Sequence, residues 1–314
     1  MCDYPGLTAN IAGESYDLNS DEIRLIDYDL DIAAISRLSQ RYPDQLGDTD
    51  LGYRMAPRYS DFAWALNGAS LSDYWEIRAR FLGIFVPRVD DPIQFVFNFG
   101  DFRRALDVVL DGEFLFRDRV ESVERVSGVL KSSDPRLYDP DIVTVIFDLE
   151  GSSGDSSGWP IPWPIPWPIG TSTLSLIKTI TYAGGSRLAA PEYPVIRVKG
   201  PITDPVIENL TTDEKIDLSA NGGIVLADSS EWVDIDLSNF PRRDSKTIRD
   251  QDGESVDQYL STDSDLSTFH LAPAGELLFD GSYCTGNNLI EVSGDDVDSE
   301  TQVLFNYHDR YYAI

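Results

Sequence analysis

From Ile93 the chain alternates, with Ile93, Phe95, Phe97 and Phe99 on one face and Gln94, Val96 and Asn98 on the other. That period of two predicts a strand facing a core. Upstream the period changes. Tyr74, Ile77, Phe81 and Ile84 recur at helical spacing, and Ser70 stands three residues before Asp73, so one short helix with a capping-box start is predicted. The segments Arg104–Leu110 and Glu113–Arg119 flank Asp111-Gly112, a dipeptide suited to φ > 0, which predicts a hairpin closed by a two-residue turn. Further strands are predicted at Ile23–Ile35, Phe62–Leu66, Val123–Lys131 and Ile142–Leu149. Asn67-Gly68 reads as a turn of the kind that closes hairpins, Tyr42–Ser60 as a Pro, Gly and Asp loop, and the first twenty residues as a loose arm. The first half is therefore expected to be a β-sandwich carrying one helix.

The second half, from Val195, shows short alternating runs about ten residues apart, divided by turn signals at Thr211-Thr212-Asp213, Asn221-Gly222-Gly223 and Asp252-Gly253. Val233, Ile235 and Leu237 alternate with Asp234, Asp236 and Ser238, and Val303, Phe305 and Tyr307 form a last apolar face. A jelly-roll sandwich is predicted. Between the halves lies Trp159–Gly170, in which every second residue is proline. Proline fixes φ and removes the backbone donor, so the segment forms neither helix nor interior strand. It is expected to be an extended strap that carries Trp159, Trp163 and Trp167 with Ile161 and Ile165, docks in a groove, and joins two domains; a proline-rich ligand for an SH3 or WW module is the alternative. A polar Gly/Ser run, 151–158, precedes it. The expected division is 1–150, a linker at 151–191, and 192–314.

Charge changes the picture next. The chain has 54 acidic and 25 basic residues, a net charge of −29, which argues against binding a phosphate backbone directly. At 42% hydrophobic residues the chain is nonetheless that of a folded protein, so the acid must lie on surfaces. Lysine is scarce, arginine is more plentiful, and aspartate crowds the loops, a pattern that suits a high-salt habitat: at ~1 M salt the Debye length is ~3 Å and carboxylate repulsion is screened. With Cys2 and Cys284 alone no disulfide framework is indicated. The sequence shows no export leader and no run of about 18 apolar residues, from which a soluble protein without membrane insertion is expected.

Candidate chemistry is thin. Asp27, Asp29 and Asp31 alternate, but the sixth and twelfth positions of an EF-hand loop are held by Ile32 and Leu38, so a solvated strand face is expected instead. His270 and His308 lack neighbours at metal spacing, and no nucleophile, nucleotide or zinc-protease motif is present. No catalytic, metal or cofactor residue is assigned, and the chain is not expected to be an enzyme. Asn209-Leu210-Thr211 fits a glycosylation sequon. Trp232, Tyr283 and Tyr311 are candidates for a sugar-stacking platform on the outer sandwich, the basis of an alternative reading as a carbohydrate-binding adhesion protein.

In sequence order, the segment IRARFLGIFVPRVDDP, then FVFNFGDFRRA, then LKSSDPRLYDP, the Trp/Pro strap, the phrase from Pro205 to Thr211, the phrase Leu271-Ala272-Pro273-Ala274-Gly275 and the aromatic last strand resemble the distal tail proteins of long-tailed viruses with non-contractile tails. Members of that family carry Asn after the last glycine, where this chain has Glu276. The resemblance implies a virion protein at the tail tip or baseplate, assembled in the host cytoplasm. Its N-terminal domains would form a homo-hexameric ring and its galectin-like C-terminal domain would point outward. Tail tube protein, tail hub and receptor-binding proteins are the implied partners. Heterologous ring contacts need open edges, and the hairpin at Asp111 and Gly112 is expected to be one subunit contact.

Overall fold

The computed structural model describes residues 5–30, 34–40, 49–86, 92–149, 174–238 and 246–313. The described residues are mainly β, with one α-helix, and fall into two compact units: Met1–Pro140 with Arg310–Ile314, and Asp141–Asp309. The chain thus leaves the first unit, builds the second, and returns for its last residues.

In the first unit the strand Ile93–Asn98 buries Ile93, Phe95 and Phe97, the face its alternation predicted. It lies between Gly6–Ile11 and Arg103–Leu110, all antiparallel, and the sheet continues through Val123–Ser132 and Arg58–Asn67 to Ile23–Tyr28, with Glu14–Asp17 at the opposite end. Arg103–Leu110 and Val123–Ser132 pair through only two residues on each strand, so the sheet folds over there and its two halves enclose one aromatic core. Phe62 and Trp64 from one half meet Phe95 and Phe97 from the other, with Phe62 and Phe95 edge to face at 5.5 Å between ring centres. The helix Leu71–Ile84 covers this core with Tyr74, Ile77, Phe81 and Ile84, the four residues picked out by spacing, and the Ser70 side chain accepts the Asp73 backbone N–H at 3.2 Å.

Several expectations are corrected here. The first twenty residues are not a loose arm: Gly6–Ile11 and Glu14–Asp17 form a hairpin whose Leu7, Ala9 and Ile11 are buried. Polar neighbours and one small residue diluted that alternation. The expected loop Tyr42–Ser60 includes the strand Thr49–Met55, which pairs with Ile35–Gln40, and the start of Arg58–Asn67. Ile23–Ile35 is not one strand, since the first ends at Tyr28. Asn67-Gly68 closes no hairpin and leads straight into the helix; a Cβ at Gly68 would stand 2.5 Å from the Tyr74 nitrogen.

Asp111-Gly112 does not join neighbouring strands either. Leu115–Val120 pairs with Val123–Ser132, not with Arg103–Leu110. The cause is Phe114. Its ring packs against Trp64, Phe81 and Phe85, which draws the chain across the sheet, and it lies so close to Gly128 that a Cβ there would be 2.6 Å from it. Gly112 keeps the positive φ, +99°, that the dipeptide predicted.

The second unit is a two-sheet antiparallel sandwich. One sheet runs Val143–Asp148, Gln302–Tyr307, Val195–Lys199, Trp232–Asp236, Thr247–Asp250; the other runs Leu174–Thr181, Asn287–Asp295, Ile202–Asn209, Glu214–Asp217. Val233, Ile235, Val303 and Phe305 face inward from the first sheet, and Ile207, Ile290 and Val292 are buried on the second. The strand Val143–Asp148, read from the sequence with the first half, pairs throughout with Gln302–Tyr307. Its Phe147 is fully buried against Phe305, at 5.2 Å, which ties it to this unit. Trp159, Trp163, Trp167, Ile161 and Ile165 lie outside the described residues.

Candidate functional site

Within the first unit the segment Ser132 to Tyr138 is a socket for the returning chain end. Arg310–Tyr311 pairs antiparallel with Leu137–Tyr138, which also bridges to Arg103–Leu110. Beneath that pairing, Asp134 receives Arg136 through both oxygens, at 2.8 and 2.7 Å, and Arg310 at 3.0 Å. Burial favours the neutral acid, but the two guanidiniums outweigh it and hold the Asp134 carboxyl below its ordinary range. Arg58 is 3% exposed and donates to the carbonyls of Leu30 and Pro135, both at 2.9 Å, and to that of Tyr312 at 3.4 Å. Tyr138 donates to Asp107 at 2.6 Å and accepts from Gln94 at 2.9 Å; burial, with the Asp107 charge, pushes its pKa up. Arg104 stacks over Tyr311 at 3.8 Å. The charged groups of the socket are tied to one another and to the chain end. What the socket does is hold the chain terminus in one register.

In the second unit two phrases 60 residues apart in sequence meet. The Asn209 side chain, fully buried, donates to the His270 carbonyl at 2.9 Å and to Asn288 Oδ1 at 3.2 Å, and its own oxygen takes the Thr211 N–H at 3.1 Å. Asn288 in turn bonds both backbone groups of Ala272. A buried, fully bonded Asn209 is therefore a clamp in the folded chain and offers nothing to a glycosylating enzyme. Beside it the His270 ring sits between Glu214, at 3.0 Å, and Glu276, at 2.8 Å. Burial disfavours the imidazolium, but these two hydrogen-bonded carboxylates overcome that and push its pKa up to about 11. Glu276 is thus the partner of a charged histidine.

The candidate platform residues are not alike. Trp232 is half-buried with Arg197 stacked over it at 4.0 Å, so the protein's own cation already covers that ring. Tyr283 is 69% exposed on a loop that also presents Leu277 and Phe279, the latter 93% exposed. Tyr311 belongs to the first unit, under Arg104, and not to the second. Asp111 and Gly112 are exposed at the end of Arg103–Leu110, with the Asp111 N–H bonded to the Val129 carbonyl at 3.0 Å. Reasoning from sequence missed Arg58, Arg310 and the His270 pair of acids; arginines within β patterns carry no periodic signal of burial, and acids 62 residues apart carry none of proximity.

No protein-family model and no curated protein matches the chain. Among solved structures, the Dit protein of phage SPP1 superposes with a TM-score of 0.59 at 12% identity, covering 97% of this chain and 99% of that one. The chain has the Dit fold. The Dit structure is described as a paradigm of the hub adsorption apparatus in phages that infect Gram-positive bacteria. The phage P2 baseplate in its activated conformation also matches, with calcium at a TM-score of 0.47 and 9% identity, and with strontium at 0.44 and 10%, each covering 99% of this chain and 100% of that chain. The Dit match spans both units, the one with the Asp134 socket and the one with the Asn209 clamp.

Proposed function

We propose that the chain is a structural protein of a viral tail tip, whose first unit forms a closed ring joining the tail tube to the hub and receptor-binding proteins. The observation that carries this reading is the likeness to a phage Dit protein over nearly the whole of both chains. The first unit also supports it: its sheet ends in two different strands, Glu14–Asp17 and Ile23–Tyr28, and unlike open ends are what a head-to-tail ring requires. The protein acts by placement and adhesion rather than by chemistry. Its acid-rich surface suits assembly at high salt. The strap 159–170 and the turn at Asp111 and Gly112 serve as connection and subunit contact in this reading.

Gold-labelled antibody against the chain tests the reading on particles of the virus that encodes it. Label at the tail end away from the capsid is expected; label on the capsid, or none on intact particles, overturns it. The exposed Phe279 and Tyr283 favour a second reading, direct attachment to host glycans through the second unit. Glycan-array binding by the full chain that is lost in Tyr283→Ala would support that reading.

A further inference from the structure

Pairing in the first unit sets Arg24 opposite Ala65, Ala65 opposite Arg125, and Arg125 opposite Arg117, so one row across four strands carries three arginines on one face. All three are exposed, and none takes part in an ion pair among the described residues. In a chain with 54 acids and 25 bases, three unpaired guanidiniums in register are the reverse of what its composition would scatter. Arg117 and Arg125 are directly opposite, an arrangement of like charges that destabilises a sheet unless something anionic lies across it. Beside the row is an open groove of about 910 Å3, lined by Arg24, Ala65, Asn67, Val123, Asn19 and Asp21. Acids flank the row, Asp27 opposite Ala63 one row along and Asp21 in the same groove, and neither is ion-paired with Arg24 among the described residues.

We infer that this arginine row receives the acidic end of the same sheet from a second copy of the chain. Glu14–Asp17 is the edge strand at the other end of the sheet path, and its Glu14 and Asp17 are exposed. Glu14 accepts from the Tyr16 hydroxyl and Asp17 from the Asn19 N–H at 2.8 Å, so both are held in place while neither is ion-paired among the described residues. The Glu14–Asp17 strand offers carboxylates and the row offers guanidiniums, so that edge of one copy laid against the row of the next is complementary in charge, whereas two rows or two such edges brought together repel. This inference rests on the ring reading above and adds to it the surfaces that meet.

Two charge reversals test it, Arg117→Glu with Arg125→Glu, and Glu14→Arg with Asp17→Arg, in the full chain. All four side chains are exposed, and unchanged thermal unfolding by circular dichroism checks the fold. Each pair alone is expected to weaken self-association, measured by sedimentation, roughly tenfold or more. An equimolar mixture of the two variants is expected to assemble again, because the acidic end of the first fits the intact row of the second, and the reversed end of the second fits the reversed row of the first. Variants that assemble like the wild type, or a mixture no better than its components, would overturn the inference and leave the ring reading standing. A wild-type chain that stays monomeric yet labels tail tips would overturn it as well, without touching the tail-tip assignment.

Discussion

Removing the Asp134 carboxylate should loosen the first unit where the chain end returns to it. The side chains of Asp134, Arg136 and Arg310 are 10%, 12% and 13% exposed, so in Asp134→Ala two nearly buried guanidiniums lose their common counter-charge. Breaking a buried pair from one side costs about 3–5 kcal/mol, and the residual exposure places this case near ~3 kcal/mol. With a urea dependence of about 1–3 kcal/mol per molar, the unfolding midpoint of the first unit should fall by roughly 1–3 M. Hydrogen exchange should show faster opening at Leu137–Tyr138 and Arg310–Tyr311, the strands the socket holds together. The sign with pH follows from the depressed folded-state pKa: the contribution is full above the ordinary carboxylate value of 3.8 and is lost as pH falls through the lower folded value. Asp134→Asn should keep the shape and lose that acid sensitivity. A midpoint change below about 0.3 M in Asp134→Ala, or exchange unaltered at the C-terminal strand, would refute the reasoning.

Four further outcomes are expected. The stability of the second unit should fall as pH rises from about 6.5 towards about 11, because His270 loses the proton that binds Glu214 and Glu276, and His270→Gln should flatten that slope in urea melts at stepped pH. Asn288→Ala strips hydrogen-bond partners from Asn209 and from both backbone groups of Ala272, so a loss of about 2–3 kcal/mol is expected, with faster amide exchange at Ala272; exchange unchanged there would contradict the clamp. Gly128→Ala should destabilise by about 1–3 kcal/mol through overlap with Phe114, and Phe114→Leu should recover part of it in a double-mutant cycle. Cleavage between residues 151 and 173 should leave the two pieces together on a native sizing column and separate them in denaturant, because Val143–Asp148 pairs with Gln302–Tyr307 across the cut; pieces that part without denaturant would show that this strand does not hold.

Much of the fold was legible because apolar side chains on one face leave a periodic trace. The helix face at Tyr74, Ile77, Phe81 and Ile84, the strand from Ile93 and the alternation at Val233 were each read from spacing and are each buried as read. What was hidden was pairing. Asp111-Gly112 has the local chemistry of a hairpin turn, yet the burial of Phe114 decides which strand the chain meets next, and that is a tertiary preference no dipeptide encodes. Ala9 is too small to announce a core face, so the first hairpin passed for a tail. The socket and the clamp were visible only as phrases. Asp134 and Tyr138, and Asn209 with the segment from Leu271, stood out only as short phrases, while what they do here, a bonded terminus and a buried amide pair, exists only in three dimensions.

A ring of copies joined through their own first units is the core of the proposed function. Its most direct measurement is the native mass of the purified full-length chain by light scattering at low salt and at about 2 M salt, where repulsion between acidic surfaces is screened. A closed oligomer, six times the mass of one chain and more populated at the higher salt, is expected. A single chain at both salts and at every concentration reached would contradict it.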